Sequence, residues 1–297
     1  MPKVQVTNVS YRYPLEHSWA LHQVSLEATA GEIIGIIGNN GHGKTTLCNV
    51  LRRFAPDFYK GELTGEILID NKKLQDFSRE ELSKTIGFVS QNPFVQITGA
   101  TETVFEEIAF GLENLGIPLE QITVTVERII EQFDLGQIAE KNPLHLSGGQ
   151  KQKVALAAVI AMDPEIFIID EPTSQLDPLS SKEIIKMIQG LKQKNKCVFL
   201  VEHKMDLLAE FADRLYVLDS GQIYTSGTPV EVFNQIIHSS LAVDCPQPLY
   251  LLKDLVDHSI IPDAPQLPVT RKSALDYLRK EVEMNDHSKR PKHDILL

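Results

Sequence analysis

The residues GNNGHGKTT at positions 38–46 combine a glycine-rich loop with a lysine and two threonines, a set that can hold the phosphates of a nucleotide. The loop follows the apolar run GEIIGIIG and precedes LCNVL, so a strand leads into it and a helix leaves it, as the spacing G-x-x-x-x-G-K-[ST] requires. Backbone N–H groups and the helix N-terminus would face the phosphate oxygens. The alternative is a glycine-rich turn with a surface lysine, and the glycine order does not fit the G-x-G-x-x-G dinucleotide fingerprint.

Within this loop, Lys44 would contact the β- and γ-phosphates and the Thr45 hydroxyl would bind Mg²⁺. The residues that we expect to contact ATP here are Gly38, Asn39, Asn40, Gly41, His42, Gly43, Lys44, Thr45 and Thr46.

A pair of acids, Asp170 and Glu171, ends the apolar run IFII. Ligands bind at the carboxyl ends of parallel strands, so Asp170 is placed to hold Mg²⁺ and Glu171 to polarise an attacking water. Two acids that merely terminate a strand are the alternative. The phosphate loop upstream favours the catalytic interpretation, because ATP with Mg²⁺ needs a carboxylate at this place.

A second glycine pair lies in SGGQKQKV at 147–154, just before the apolar run ALAAVIAM. A serine at a helix N-cap followed by two glycines leaves free N–H groups that a phosphate can approach closely. A plain helix cap with a flexible turn is the alternative. No lysine-bearing phosphate loop lies beside it in the sequence.

The order of these motifs resembles the ATP-binding cassette (ABC) ATPase family, over roughly residues 3 to 230. GNNGHGKTT, LSGGQKQKVALA, IFIIDEP, SQLD and the histidine of FLVEH follow one another as in that family. The resemblance implies a head-to-tail dimer that sandwiches two ATP molecules. Residues Ser147, Gly148, Gly149 and Gln150 of one subunit would then bind the γ-phosphate held by the Lys44 loop of the other.

Further roles follow from the resemblance alone. Tyr13 would stack on the adenine, with Tyr11 as the second candidate. Gln91 would contact Mg²⁺ and the attacking water, and His203 would hold the γ-phosphate and that water. Asp177 would communicate across the dimer. Together with Glu171, the residues Gln91 and His203 form the expected catalytic set, and Thr45, Gln91 and Asp170 the expected Mg²⁺ ligands.

Three positions depart from the common family pattern: His42 where serine is frequent, Lys153 where arginine is common, and Gln175 in place of a small residue. None removes a reacting group, so we expect a complete ATPase site.

The composition limits which partners and which location can be expected of the protein. The chain has 297 residues, a net charge of −11 and three scattered cysteines. The acidity gives no overall field for nucleic-acid phosphates, and we expect no nucleic-acid partner. No apolar run reaches the roughly 18 residues of a membrane span, and the start lacks the features of a signal peptide. We therefore expect a cytoplasmic protein with reduced core thiols, whose membrane role comes through a partner.

The elements that must position the motifs alternate in type. Strand-like patterns dominate the first 90 residues, helical spacing marks 101–135, and helix and apolar strand alternate from 153 onward. This pattern predicts an α/β protein with a parallel sheet covered on both faces and a helical subdomain inserted into it. The resemblance to the ABC ATPase family implies a P-loop NTPase with the ABC ATPase fold, in which a mixed or parallel sheet core carries an N-terminal antiparallel β subdomain and a helical subdomain at about 92–162. We expect the ATP-binding domain at 1–230 and a small C-terminal extension at 231–297, a dimerisation region with a frayed tail.

The segments QNPFVQITGATETVFEEIAFGLEN and EHKMDLLAEFADRLYVLDSGQI resemble the energy-coupling-factor subgroup, which imports vitamins and transition-metal ions, with Gln96 and the residues after it carrying most weight. The resemblance implies a second ABC ATPase, identical or different, a transmembrane coupling subunit, and indirectly a membrane substrate-binding subunit. The protein would lie on the cytoplasmic face of the membrane. Glu102, Glu106 and Glu107 would face basic helices of the coupling subunit, unless they form a merely solvated face.

Two alternatives stay open from the sequence. The first is the ATPase subunit of another ABC transporter, with the same chemistry and a different partner. The second is an ABC protein that acts on ribosomes or DNA, which would need two cassettes, a long coiled-coil insertion or a basic surface.

Overall fold

The computed structural model describes residues 3–288 and the side chains as far as Glu283. Its helices and strands alternate along most of the chain. In order they are β1 Val4–Arg12, β2 Leu21–Ala28, β3 Ile33–Ile37, α1 Lys44–Leu51, α2 Phe54–Asp57, β4 Glu62–Ile69, β5 Lys72–Lys73, α3 Arg79–Thr85, β6 Ile86–Val89, α4 Pro93–Gln96, α5 Val104–Asn114, α6 Leu119–Gln132, α7 Gly148–Ala161, β7 Ile166–Asp170, α8 Pro178–Gln193, β8 Cys197–Val201, α9 Met205–Phe211, β9 Arg214–Asp219, β10 Gln222–Gly227, α10 Pro229–Ile236, α11 Gln247–Asp257 and α12 Arg271–Ser288.

Two sheets organise these elements. The first has the strand order β2-β1-β4-β5, and β1 pairs antiparallel with both of its neighbours. The second has the order β10-β9-β3-β8-β7-β6, in which β3, β6, β7, β8 and β9 pair parallel. All residues of β3, β7 and β8 are buried, as expected for strands covered on both faces. The predicted fold class is confirmed, including the N-terminal antiparallel sheet.

The helices between β6 and β7 lie in the range predicted for the helical subdomain. Helix α5 begins at a capping box formed by Thr103 and Glu106, and α7 begins at one formed by Ser147 and Gln150. Such boxes satisfy backbone N–H groups that would otherwise lack a partner at a helix start. Helix α7 packs on α5, α6 and α8. Most of its residues are buried, and its N-terminus is left as the polar end.

The chain forms two compact units. The first contains residues up to His203 together with Asp213–Ser226, and so holds both sheets and α1–α8. The second contains Lys204–Ala212 and the chain from Gly227 onward. The domain boundary at residue 230 stays a prediction.

In the second unit, α9 packs against α10, and α11 packs against α12. The Asn234 side chain fixes the segment between α11 and α12, because it accepts a hydrogen bond from Leu267 N at 2.8 Å and donates one to Leu267 O at 2.9 Å. Helix α12 runs to Ser288. Residues 289–297, where most of the frayed tail was expected, lie outside the described residues.

Among residues 3–288, no helix has the length and apolar character needed to cross a bilayer.

Candidate active site

The glycine-rich loop lies between β3 and α1, and its three glycines all have positive φ angles, which disfavour a side chain. Gly38 has φ 148° and Gly43 has φ 101°. A Cβ atom on Gly38 would lie 2.2 Å from the carbonyl oxygen of Leu218, and one on Gly43 would lie 2.7 Å from that of Ala20. The loop therefore packs tightly on its neighbours and turns its backbone toward the N-terminus of α1.

The Lys44 side chain is held inside this loop. It is 5% exposed, and its Nζ donates hydrogen bonds to Gly38 O at 2.8 Å and Asn39 O at 3.0 Å. Burial lowers the pKa of Lys44, while the nearby carboxylates of Glu171 and Asp170 oppose that shift. The cation is therefore placed where phosphate oxygens can replace the two carbonyl partners.

Other loop residues face outward or toward β9. Asn40 and Gly41 are exposed. The Nδ1 atom of His42 lies 3.0 Å from an Asp219 carboxylate oxygen. His42, which stands where serine is frequent in the resembling family, is thus held at the end of β9.

Asp170 ends β7 and is 6% exposed. Its Oδ2 accepts a hydrogen bond from the Thr45 hydroxyl at 3.2 Å, while its buried Oδ1 has no hydrogen-bond partner among the described residues. Burial raises the pKa of Asp170, and the Thr45 bond opposes that shift.

A buried carboxylate oxygen without a partner, next to a threonine hydroxyl, fits a divalent cation that completes its shell with water and phosphate oxygens. No cluster of three or more His, Cys, Asp or Glu side chains suited to a metal ion occurs in the described part of the chain. The donor set therefore suits Mg²⁺ delivered with a nucleotide better than a cage built from protein groups alone.

The three predicted catalytic residues meet at the carboxyl end of the parallel sheet. Glu171 follows β7, Gln91 follows β6 and His203 follows β8. Gln91 Nε2 donates to one Glu171 carboxylate oxygen at 2.6 Å, and His203 Nε2 lies 2.8 Å from the other. Glu171 has a left-handed φ of 47°, and its N–H donates to Val201 O at 2.9 Å. The backbone therefore turns the carboxylate out of the strand toward Gln91 and His203.

Two residues beside this group were missed by the sequence analysis, the buried Glu202 and Thr173. Glu202 is 1% exposed and Thr173 is fully buried. The Thr173 hydroxyl donates to Glu202 Oε2 at 2.8 Å, and His203 N donates to Glu202 Oε1 at 2.9 Å. The sequence signal was a charged residue directly after a wholly apolar strand.

Tyr13 lies beside the phosphate loop, as the adenine role requires. Its hydroxyl is 3.1 Å from Thr46 Oγ1, and the side chain is partly buried. Tyr11 is fully buried and donates its hydroxyl to the carbonyl oxygens of Tyr59 and Lys60. The second candidate is therefore wrong, because Tyr11 presents no face to a base. Adenine stacking on Tyr13 stays a prediction.

The signature residues Ser147–Gln150 form the start of α7. Gln150 N donates to Ser147 Oγ at 3.4 Å, and Ser147 N donates to Gln150 Oε1 at 3.1 Å. A Cβ on Gly148 would meet nothing within 4 Å, whereas one on Gly149 would lie 2.9 Å from Ser180 Oγ. Gly148 thus opens the helix end to solvent, and Gly149 brings α7 close to α8.

Asp177 caps α8, and its carboxylate accepts hydrogen bonds from Leu179 N, Ser180 N and Ser180 Oγ. These bonds, led by the Ser180 hydroxyl, lower the pKa of Asp177. Its role across a dimer stays a prediction.

The acidic segment near Gln96 is only partly as expected. Glu102 and Glu106 are exposed, but Glu107 is 4% exposed and accepts hydrogen bonds from Thr98 N, Thr98 Oγ1 and Thr101 Oγ1. The expectation that Glu107 faces a partner helix is wrong, because its carboxylate is used to hold the 98–101 loop. Gln96 likewise bonds to its own chain, accepting from Ser90 N and donating to Phe88 O.

The chain is similar in sequence to known proteins. A family model described as ABC transporter matches residues 21–174. The energy-coupling factor transporter ATP-binding protein EcfA1 of Mycoplasma mobile is 38% identical over 247 residues, which is 82% of this chain and 87% of that protein.

Solved structures agree. CbiO1 from Clostridium perfringens, part of the ABC transporter complex cbiONQ, superposes with a TM-score of 0.71 at 28% identity, covering 86% of this chain and 94% of that one. A dimeric ATP-binding cassette in a post-hydrolysis state, bound to ADP and Pi, gives a TM-score of 0.66 at 28% identity, covering 76% and 98%.

Proposed function

Since the chain belongs to the ABC transporter family and is an ATPase, we propose that it is the subunit that energises an energy-coupling-factor importer of vitamins or transition-metal ions. The observation that carries the ATP-hydrolysing part of the proposal is the hydrolytic group, in which Glu171 lies between Gln91 and His203 at 2.6 and 2.8 Å. The similarity to EcfA1 and CbiO1 supports the subgroup.

ATP would bind with its phosphates in the loop 38–46 and its base near Tyr13. Lys44, whose Nζ now contacts two loop carbonyls, would turn to the β- and γ-phosphates and offset their negative charge. Asp170, Thr45 and Gln91 would hold Mg²⁺, which supplies further positive charge to the phosphate oxygens when bound. The partnerless Oδ1 of Asp170 supports this assignment.

Hydrolysis would use Glu171 as the general base. The carboxylate accepts a proton from a water molecule as the water oxygen bonds to the γ-phosphorus and the bond to the β–γ bridging oxygen breaks, releasing ADP and phosphate. Gln91 and His203 orient that water and the γ-phosphate. Most of the rate gain comes from positioning and from charge stabilisation.

The signature residues would act on a second subunit. We propose that Ser147–Gln150 bind the γ-phosphate held by the loop of a second ABC ATPase, either another copy or a related chain. The open space at Gly148 and the dimeric form of a similar cassette support this arrangement. Closure on two ATP molecules and reopening after hydrolysis would move α4–α7.

A membrane subunit would dock where α4 and the C-terminal end of α2 present apolar side chains. Phe94 and Val95 are 57% and 74% exposed, and Phe58 is 66% exposed. The Arg52 guanidinium lies 4.0 Å from the Phe54 ring centroid and 3.7 Å from that of Phe88, which links the α2 aromatic residues to the strand before α4. Patches of this kind mark interaction sites. Docking here would place the protein on the cytoplasmic face of the membrane.

The test is co-purification of the tagged chain from detergent-solubilised membranes, with the bound proteins identified by mass. We expect to capture a transmembrane coupling subunit and a small substrate-binding membrane protein. A second ATPase would also be captured if the dimer contains two different chains, and none would be captured if it contains two copies of this one. Phe94→Asp with Val95→Asp should abolish this capture and leave the ATPase activity of the isolated chain unchanged. Val124→Asp, at an exposed position of α6, is the matched control. Capture of two identical permease subunits would contradict the subgroup assignment.

A further inference from the structure

Glu202 is a buried acid next to the hydrolytic group that the mechanism above does not use. It follows β8 directly and is 1% exposed. Its two carboxylate oxygens accept hydrogen bonds from different loops: Oε2 from the Thr173 hydroxyl at 2.8 Å and Oε1 from His203 N at 2.9 Å. A carboxylate is costly to bury unless such bonds stabilise it, so this position needs a specific explanation.

The two partners identify what Glu202 connects. Thr173 lies two residues after Glu171, in the loop that leaves β7, and His203 begins the loop that leaves β8. The side chains of Glu171 and His203 are themselves 2.8 Å apart. Glu202 therefore joins the same two loops whose side chains meet at the site.

We propose that Glu202 is a positioning residue that fixes His203 relative to Glu171 during ATP hydrolysis. The inference rests on the proposed role of His203 at the γ-phosphate. The bond to His203 N holds the backbone from which the imidazole projects, and the bond to Thr173 holds the carboxylate. Because a displacement of about 1 Å at a reacting group can cost about 10²-fold in rate, a loosened His203 backbone lowers the chemical rate while leaving ATP binding intact.

The test compares Glu202→Gln, His203→Ala and the double variant under single-turnover conditions, with ATP affinity measured separately. Glutamine provides a single acceptor oxygen for the two donors. We expect Glu202→Gln to lower the rate of hydrolysis about 10-fold with unchanged ATP affinity. In the His203→Ala background the same change should have almost no effect, since Glu202 acts through His203.

A second pair of variants keeps the carboxylate. Thr173→Val removes the hydroxyl at nearly constant shape and should lower the rate of hydrolysis as Glu202→Gln does. Thr173→Ser keeps the hydroxyl and should keep the rate of the unchanged protein. The matched control is Glu107→Gln, another buried glutamate that accepts threonine hydroxyl groups. We expect it to change thermal stability without changing the rate of hydrolysis.

An equal loss from Glu202→Gln in both backgrounds would overturn the inference, because it would show that Glu202 acts independently of His203. Normal hydrolysis by Glu202→Gln and Thr173→Val, with His203→Ala impaired, would overturn the inference alone. Undiminished hydrolysis by His203→Ala would overturn the proposed role of His203 and the inference with it.

Discussion

At the scale of single residues, Glu171 is the group on which hydrolysis depends. Replacing Glu171 by glutamine keeps the shape of the side chain and removes its basicity. We expect ATPase activity to fall about 10²–10⁴-fold while ATP binding is retained. The measurement is phosphate release beside equilibrium binding of ATP. Glu131→Gln, at an exposed position of α6, is the control and should be fully active; undiminished turnover by Glu171→Gln would contradict the assignment.

Asp170 should show a conflict between function and stability. Its pKa is raised by burial, so the native state binds more protons than the unfolded state between the ordinary and the raised pKa. Stability therefore falls as the pH rises through that window, and above it the charged group is destabilising. We expect Asp170→Asn to abolish hydrolysis but to raise the Tm of the nucleotide-free protein at neutral pH, by about 2–4 °C per kcal/mol gained.

The difference in Tm between Asp170→Asn and the wild type should shrink as the pH is lowered toward the ordinary carboxyl range. Asp177→Asn is the control of opposite sign. Hydrogen bonds lower the pKa of Asp177, so its charge stabilises the protein at neutral pH, and that contribution is lost as the pH falls through its lowered pKa. A lower Tm for Asp170→Asn at neutral pH would contradict the explanation.

Residues whose chemistry fixes both identity and spacing could be predicted from the sequence. The loop lysine, the acid pair at the end of β7 and the histidine after β8 lie close together, because parallel strands end at one edge of a sheet. Glu202 and Thr173 could not be found in this way, since their pairing depends on which loops the fold brings together. Glu107 was misassigned because helical spacing does not show which charged side chain a neighbouring loop covers.

At the scale of elements, the two glycines at the start of α7 have different environments, so one can be used to test phosphate recognition and the other to test helix packing. Gly148→Ala adds a methyl group where nothing lies within 4 Å, whereas Gly149→Ala adds one 2.9 Å from Ser180 Oγ. We expect Gly148→Ala to leave Tm unchanged or slightly higher, since alanine favours a helix more than glycine. It should still weaken ATP-dependent dimer formation in the Glu171→Gln background, because the methyl group occupies the space of the incoming phosphate.

Gly149→Ala is the matched variant and should lower Tm by pushing α7 from α8. The measurements are thermal denaturation and size-exclusion chromatography with ATP. Normal dimer formation by Gly148→Ala would show that this helix end does not receive a phosphate.

Most of the helices and strands could be predicted from the spacing of apolar residues. Apolar runs gave β3, β7 and β8, and the helical spacing in 119–132 gave α6. Tyr11 and Tyr13 show the limit of such patterns. Alternation along β1 does not tell which of two tyrosines lies in the core, and the answer came from the backbone carbonyls that accept the Tyr11 hydroxyl.

At the scale of the whole molecule, the second unit draws on two separate parts of the chain. Met205 and Leu208 of α9 are buried, and α9 packs against α10. We expect a chain that ends at Ser226 to aggregate or to lose several degrees in Tm, because α9 then loses the apolar cover of α10. A chain that ends at Ser288 is the control and should match the full chain. Equal Tm and ATPase activity of both would show that α9 needs no cover from α10.

The boundary of this extension at residue 230 stays a prediction, and residues 204–212 belong to the same compact unit as the chain from Gly227 onward. A single sequence gives no sign of this, because α9 stands between two strands of the first unit and has an ordinary helical pattern.

The contacts of Glu171 also bear on how the general base is oriented before hydrolysis begins. Both oxygens of this carboxylate have a side-chain partner, Gln91 for one and His203 for the other. Each carboxylate oxygen keeps a further lone pair, so Glu171 can accept a proton from water while Gln91 and His203 hold it in place. In the proposed cycle the two contacts would fix the direction of the carboxylate before ATP binds, so the base would need little rearrangement when the dimer closes. The readiness of the importer to hydrolyse ATP would then depend on two side-chain contacts inside one subunit.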